Sequence, residues 1–311
     1  MRKILLGVLG AVLAGGCSGI TETILGTILD GFEIPGFETP VVGPVTYDPP
    51  QGGTLSGARL AFVAAEDGDV SCLILSAGSS DPVASLGETP NGIASGVSGD
   101  LFISTDSAVW RLDDNWNGND GLKVNEDIVR FDGVGADAGT VVVAASTTDG
   151  AVILAFDETS GDAVATSAPV AGVTITSVAV ADGTAFVIES SGEIVSYDLT
   201  VPSPVRAPLA PSTATSEPVA LVVGHTGNLF VASASGAVEE IDLATGVPVG
   251  TLFSGGPSVE PVGLAFDEKR ERYLLLTAAD EILEIDPSGT VLDTHESALV
   301  DRATAITYFG R

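Results

Sequence analysis

Along residues 218–252, PVALVVGHTGNLFVASASGAVEEIDLATGVPVGTL, apolar positions come in short runs at 219–223, 229–232 and 238–241, parted by Gly224, Gly227 and Gly236. Runs of this size are strand length and too short for helices. A fourth run at 247–252 follows Ala244-Thr245-Gly246, whose glycine permits a tight turn. The stretch therefore predicts four antiparallel strands joined as a meander.

The same unit recurs. Its third run ends in an apolar residue followed by aspartate, and that pair returns as Leu112-Asp113, Phe156-Asp157, Tyr197-Asp198, Ile241-Asp242 and Ile285-Asp286, with the aspartates 44, 41, 44 and 44 positions apart. An aspartate here has a local purpose, because its carboxylate can accept hydrogen bonds from N–H groups of the turn it opens. Four strands repeating every 40 to 45 residues predict the blades of a β-propeller.

First strands fall at 92–97, 128–134, 175–180, 219–223, 262–266 and 303–309. The last has no blade after it, whereas residues 58–86 supply three strands (around 60–65, 70–75 and 83–86) and lack a first. If 303–309 pairs with 59–65, the tail completes the head and two open sheet edges disappear. The expected fold is thus all-β, a six-bladed propeller of four-stranded antiparallel blades closed by the C-terminal strand. Seven blades is the alternative, with the irregular region 113–139 holding the extra one.

Composition agrees, since Val, Ala, Gly, Thr and Ser abound while the chain has one Met and 5% aromatic residues. The N-terminus is different in kind. Residues 1–16, MRKILLGVLGAVLAGG, carry Arg2 and Lys3 and then an apolar run at 4–14, which reads as a secretory signal too short to span a bilayer. Leu13-Ala14-Gly15-Gly16-Cys17 resembles the lipobox of bacterial lipoproteins, which implies an acylated Cys17 as the mature N-terminus and a membrane anchor. Ser18 resembles the outer-membrane sorting choice of such proteins. Residues 17–57 read as a lipidated, Pro/Gly-rich tether, with an apolar stripe of helical spacing at 20–32, and residues 58–311 as the propeller.

The formal charge of −30 becomes about −32 once Arg2 and Lys3 leave with the signal. Such a surface repels nucleic acid and anionic lipid, so neither is an expected partner. With Cys17 lipidated, Cys72 has no thiol to pair with and reads as a buried, inert side chain in a strand. His225 sits in a glycine-flanked turn and His295 in a loop after the last strand of the sixth blade, neither beside a nucleophile.

Two groups of residues are candidate sites. In Asp113-Asp114-Asn115-Trp116-Asn117-Gly118-Asn119-Asp120-Gly121, oxygen side chains at Asp113, Asn115 and Asn117 with Gly118 match the opening half of a calcium loop, Asp120 being a further ligand. The closing position is Val124, and a plain polar turn is the other reading, so a Ca²⁺ cofactor is left open. At the other candidate, Asn91, Glu217, Glu260 and Asp301 precede or open first strands and would converge on the mouth of the central channel.

Pro90-Asn91-Gly92, Pro218-Val219-Ala220 and Pro261-Val262-Gly263, with Gly99-Asp100-Leu101-Phe102 and Gly227-Asn228-Leu229-Phe230 behind the first two, resemble the NHL and SMP-30/gluconolactonase-like propellers. That resemblance implies six blades and, in the lactonase branch, a metal held at the strand starts, where Asn91 matches one ligand position. The acidic ligand position is met by Val219 or Val262, which offer no ligand atom. The expected function is therefore a lipid-anchored module of the cell envelope that binds a protein or glycan partner or serves as a scaffold, without catalysis. A metal-dependent lactonase or hydrolase is the alternative.

Overall fold

A computed structural model describes residues 60–75, 79–113, 118–119, 127–209, 217–256, 258–296 and 302–309. Cys17, the 1–16 signal and the 17–57 tether lie outside them, as do Asn115, Asn117, Asp120 and Asp301.

Every described element is a strand. The first blade contains β1 (Leu60–Ala65), β2 (Asp69–Ile74) and β3 (Ser79–Ser85), and the second β4 (Pro90–Ser95), β5 (Leu101–Thr105), β6 (Val109–Leu112) and β7 (Gly118–Asn119). The third is β8 (Ile128–Asp137), β9 (Thr140–Thr147), β10 (Gly150–Asp157) and β11 (Ala163–Thr166), and the fourth β12 (Ile175–Ala181), β13 (Thr184–Glu189), β14 (Ile194–Asp198) and β15 (Arg206–Pro208). The fifth comprises β16 (Pro218–Val223), β17 (Leu229–Ser233), β18 (Ala237–Ile241) and β19 (Pro248–Ser254). The sixth comprises β20 (Pro261–Asp267), β21 (Arg272–Thr277), β22 (Glu281–Ile285) and β23 (Val291–Glu296), and β24 (Ala303–Phe309) ends the chain.

Five sheets are sequential meanders, while the sheet of the first blade runs β24-β1-β2-β3. Its register, from Leu60↔Phe309 to Ala65↔Ala303, is the predicted closure. The protein is a six-bladed β-propeller. Among the described residues the region 113–139 holds no seventh blade, because Gly118 and Asn119 pair with Leu112 and Arg111 of the second blade and Ile128 opens the third.

Each central strand is covered on both faces by neighbouring blades, so it reads as an unbroken apolar run instead of an alternating one. On β1, Phe62 and Ala64 pack with Leu101 and Ile103 of the second blade. Ala61 and Val63 pack with Leu274 and Leu276 of the sixth. Alternate residues of one strand thus hold two different neighbours, as a period of two requires.

The repeat aspartates do what their position suggests. Asp242 Oδ1 accepts the Thr245 N–H at 2.8 Å and its hydroxyl at 2.7 Å, and Asp157, Asp198 and Asp286 accept equivalent bonds. The Thr245 hydroxyl and then its N–H hold the Asp242 carboxyl below the usual aspartate range. With its folded pKa depressed, Asp242 stabilises the fold above about pH 3.9, the value of a free aspartate, and that stabilisation is lost as pH falls through the folded value. Asp242→Ala is therefore expected to melt earlier than wild type at pH 7, with the gap closing in acid. A gap of the same size in acid would mean that the carboxylate charge is irrelevant to the turn.

Cys72 is buried, and burial, helped by the Asp81 carboxylate, pushes its thiol up to about 12. It is the protonated, unreactive thiol that was expected. His295 is a correction. It lies inside β23, opposite Ile282, instead of in a loop, and its buried Nε2 is 3.5 Å from the Glu284 carboxylate. The sixth blade's outer strand runs as far as Glu296 because Glu281 pairs with it, a partnership no local pattern announces.

Candidate functional site

The inner strands β24, β4, β8, β12, β16 and β20 surround a central channel, since each is the first strand of its sheet and residues of all six line one continuous wall. The channel has two cavities. A wide one of about 610 Å³ opens where the inner strands end, and a narrow one of about 90 Å³ lies where they begin. Ile93, Val134, Val178, Leu221, Leu264 and Ile306, one per blade, border both cavities and make an apolar waist between them.

At the narrow end all six inner strands carry a β-bulge two residues before the waist: Asn91, Asp132, Thr176, Val219, Val262 and Thr304. A bulge inserts one unpaired residue and bends its strand, and here it recurs beside the mouth of the channel. The polar side chains among them are engaged with neighbouring strands. Asn91 Nδ2 donates to the Phe131 carbonyl at 2.7 Å and to Asp106 Oδ1 at 2.9 Å. Thr304 Oγ1 donates to the Pro90 carbonyl at 3.1 Å, tying β24 to β4.

Of the three described residues expected at the channel mouth, only Asn91 borders the narrow cavity. Glu217 and Glu260 are exposed and outside the lining of both cavities, and Asp301 lies outside the described residues. What Glu217 and Glu260 contribute is main chain. Their carbonyls accept the N–H groups of Ala234 and Ala278 at 3.0 and 2.8 Å, as the Arg302 carbonyl accepts that of Glu66 at 3.0 Å. The carboxylate that does reach Asn91, Asp106, stands in the turn after β5, and nothing in the sequence sets it apart from other acidic turn residues. Among the described residues no three His, Cys, Asp or Glu side chains are placed to hold a metal ion. Of the four proposed calcium ligands only Asp113 is described, directly after β6, and Gly118 of the same loop lies in β7.

The wide end is built differently. His225, in the turn between β16 and β17, lies with its Nδ1 2.7 Å from the Tyr273 hydroxyl. Tyr273 packs against Phe230 and Phe266 with centroids 4.6 and 4.9 Å away. Tyr273 is fully buried, and burial raises its pKa, so its hydroxyl keeps its proton. This close packing depends on Gly224, where a Cβ would fall 2.2 Å from the Tyr273 oxygen and 2.5 Å from the Phe230 ring.

On the second blade the equivalent turn is held by a carboxylate. Glu158, buried after β10, accepts the N–H groups of Val97 and Ser98 at 3.1 and 2.9 Å and the Ser98 hydroxyl. Gly96 leaves the room for it, as a Cβ there would meet Oε1 at 2.1 Å. Around the wide mouth stand Asp137, Glu268, Glu271 and Lys269, with His225, Phe266 and Tyr308 in the wall. No sequence pattern pointed to this group, in which Phe266, Glu268, Lys269 and Glu271 of the sixth blade meet Asp137, His225 and Tyr308 from three others. The one local signal was the glycine pair that frames His225.

No family model matches the sequence, and no curated protein is significantly similar to it. Among solved structures, the fold is similar to that of a protein of unknown function from Bacteroides caccae, seen in a crystal structure at 1.35 Å resolution. The two share 12% identity over 82% of this chain and 100% of that one, with a TM-score of 0.63. At that identity the likeness is one of fold.

Proposed function

We propose that this chain is a lipid-anchored, non-catalytic binding or scaffold module of the cell envelope. One observation carries the non-catalytic half. The bulge positions of the inner strands, where the NHL and SMP-30-like resemblance would put metal ligands, are Asn91, Asp132, Thr176, Val219, Val262 and Thr304, with a single carboxylate among them. That carboxylate, Asp132, is already paired, its Oδ1 accepting from Arg130 Nε at 2.7 Å and its Oδ2 from the Ser146 hydroxyl at 2.6 Å. A divalent cation is held by charged or strongly donating oxygen and nitrogen ligands, and this set does not fit one. In this reading the resemblance at the strand starts reports blade geometry.

The anchoring half is supported by the basic, then apolar, leader at 1–16 and the lipobox-like residues before Cys17. Each buried CH₂ of an acyl chain contributes roughly 0.8 kcal/mol, so more than one chain gives stable attachment. Cell fractionation tests it. Wild type is expected in the membrane pellet with labelled palmitate incorporated, and Cys17→Ser in neither. Purified protein is expected to open no simple lactones with or without added divalent metal. Turnover that a chelator abolishes would place the chain among the hydrolases instead.

A further inference from the structure

We propose, resting on the reading of the ring as a binding module, that its binding site is the wide mouth and that it takes a small organic cation: a guanidinium or ammonium group on an alkyl stem. The site lies at the opposite end of the channel from the strand starts.

Size separates the two ends. The wide cavity, about 610 Å³, is within the range of roughly 300–1,000 Å³ common to ligand pockets. The narrow one, about 90 Å³, has room for little more than a few waters. Chemistry then narrows the ligand. The floor of the wide cavity is the aliphatic waist, which suits an apolar stem. One wall carries His225 and Phe266, backed by Tyr273 and Phe230. A ring such as Phe266 attracts a cationic head that comes over its face within about 6 Å.

Charge sets the sign. Asp137, Glu268 and Glu271 border the cavity against one base, Lys269, on a chain of net charge −30. An anion would be repelled throughout its approach. A neutral apolar molecule would use the floor and leave the negative charge of the rim unused. A cation on a stem uses floor, wall and rim together.

The test uses the full-length chain in a non-ionic detergent, titrated calorimetrically with butylguanidinium, with neutral butylurea and anionic butyrate of similar shape, and with a short arginine-containing peptide. Butylguanidinium is expected to bind about tenfold or more tightly than butylurea, to weaken as salt rises, and to displace nothing that butyrate displaces. The peptide arm tells a free amine from a side chain as the source of the same group. Glu268→Gln with Glu271→Gln is expected to weaken the cation about fivefold, with an unchanged melting temperature because both residues are exposed. Butylurea binding as tightly as butylguanidinium would overturn the proposal. So would binding that ignores the double substitution and is lost in Asn91→Ala, at the narrow end. Failure here leaves the anchored, lactone-inert module standing, whereas chelator-sensitive lactone opening would remove the module whichever probe binds.

Discussion

Ending the chain at residue 302 is expected to yield a protein without a cooperative thermal transition. The deleted strand, β24, is the innermost of the first blade, and both its neighbours in the ring lean on it. Ile306 packs with Ala61 and Val63 of β1 and with Leu274 and Leu276 of the sixth blade, and Thr304 hydrogen-bonds across to Pro90 of the second. Burying Ile306 alone is worth about 1.5–3 kcal/mol, and each ladder hydrogen bond adds about 1 kcal/mol. Together they approach the roughly 5–15 kcal/mol by which a domain is stable at all. The loss also exposes the inner edge of β1, a template for pairing with other chains. Circular dichroism melts, with sizing columns to catch aggregation, would decide. A synthetic peptide of residues 302–311 is expected to restore the transition in proportion to its concentration. A truncated chain that melts sharply at the wild-type temperature would show that the ring does not depend on its closing strand.

Gly224→Val should have the largest effect of any single substitution at the wide mouth. The new Cβ would fall 2.2 Å from the Tyr273 oxygen and 2.5 Å from Phe230, and both rings are fully buried with no room to retreat. Overpacking of this kind costs about 3 kcal/mol, which lowers the melting temperature by about 6–12 °C for a domain of this size. Gly139→Ala is the matched comparison. Gly139 has φ +82° and nothing within 4 Å of a Cβ, so only the left-handed backbone resists the change, at about 1 kcal/mol. If the two substitutions cost the same, the aromatic packing behind His225 is looser than these distances imply. The His225 contact to Tyr273 should go with it, so cation binding is expected to fall in Gly224→Val even at temperatures where the ring is folded.

The blades and their closure were legible because they depend on local chemistry: strand-length apolar runs, glycine turns, and an aspartate that bonds its own turn. Even the missing first strand of the first blade could be inferred, since six starts and five complete units leave one arrangement without open edges. The candidate site was legible only in part. Asn91 does reach the narrow cavity, but Glu217 and Glu260, which share its place at the strand starts, serve through their carbonyls.

The sequence by itself determined an all-β ring of four-stranded sheets, because strand-length apolar runs and a repeat near 44 residues dictate strands and blades wherever they occur, and the structure chose six over seven by pairing Gly118 and Asn119 with the second blade. Tertiary structure alone decided which end of the channel is wide, that His225 meets Tyr273 from 48 positions away, and that Asp106 reaches Asn91. Alternation along a strand tells which residues share a face. It carries no information on which neighbouring blade that face meets, and a binding mouth is made where blades meet.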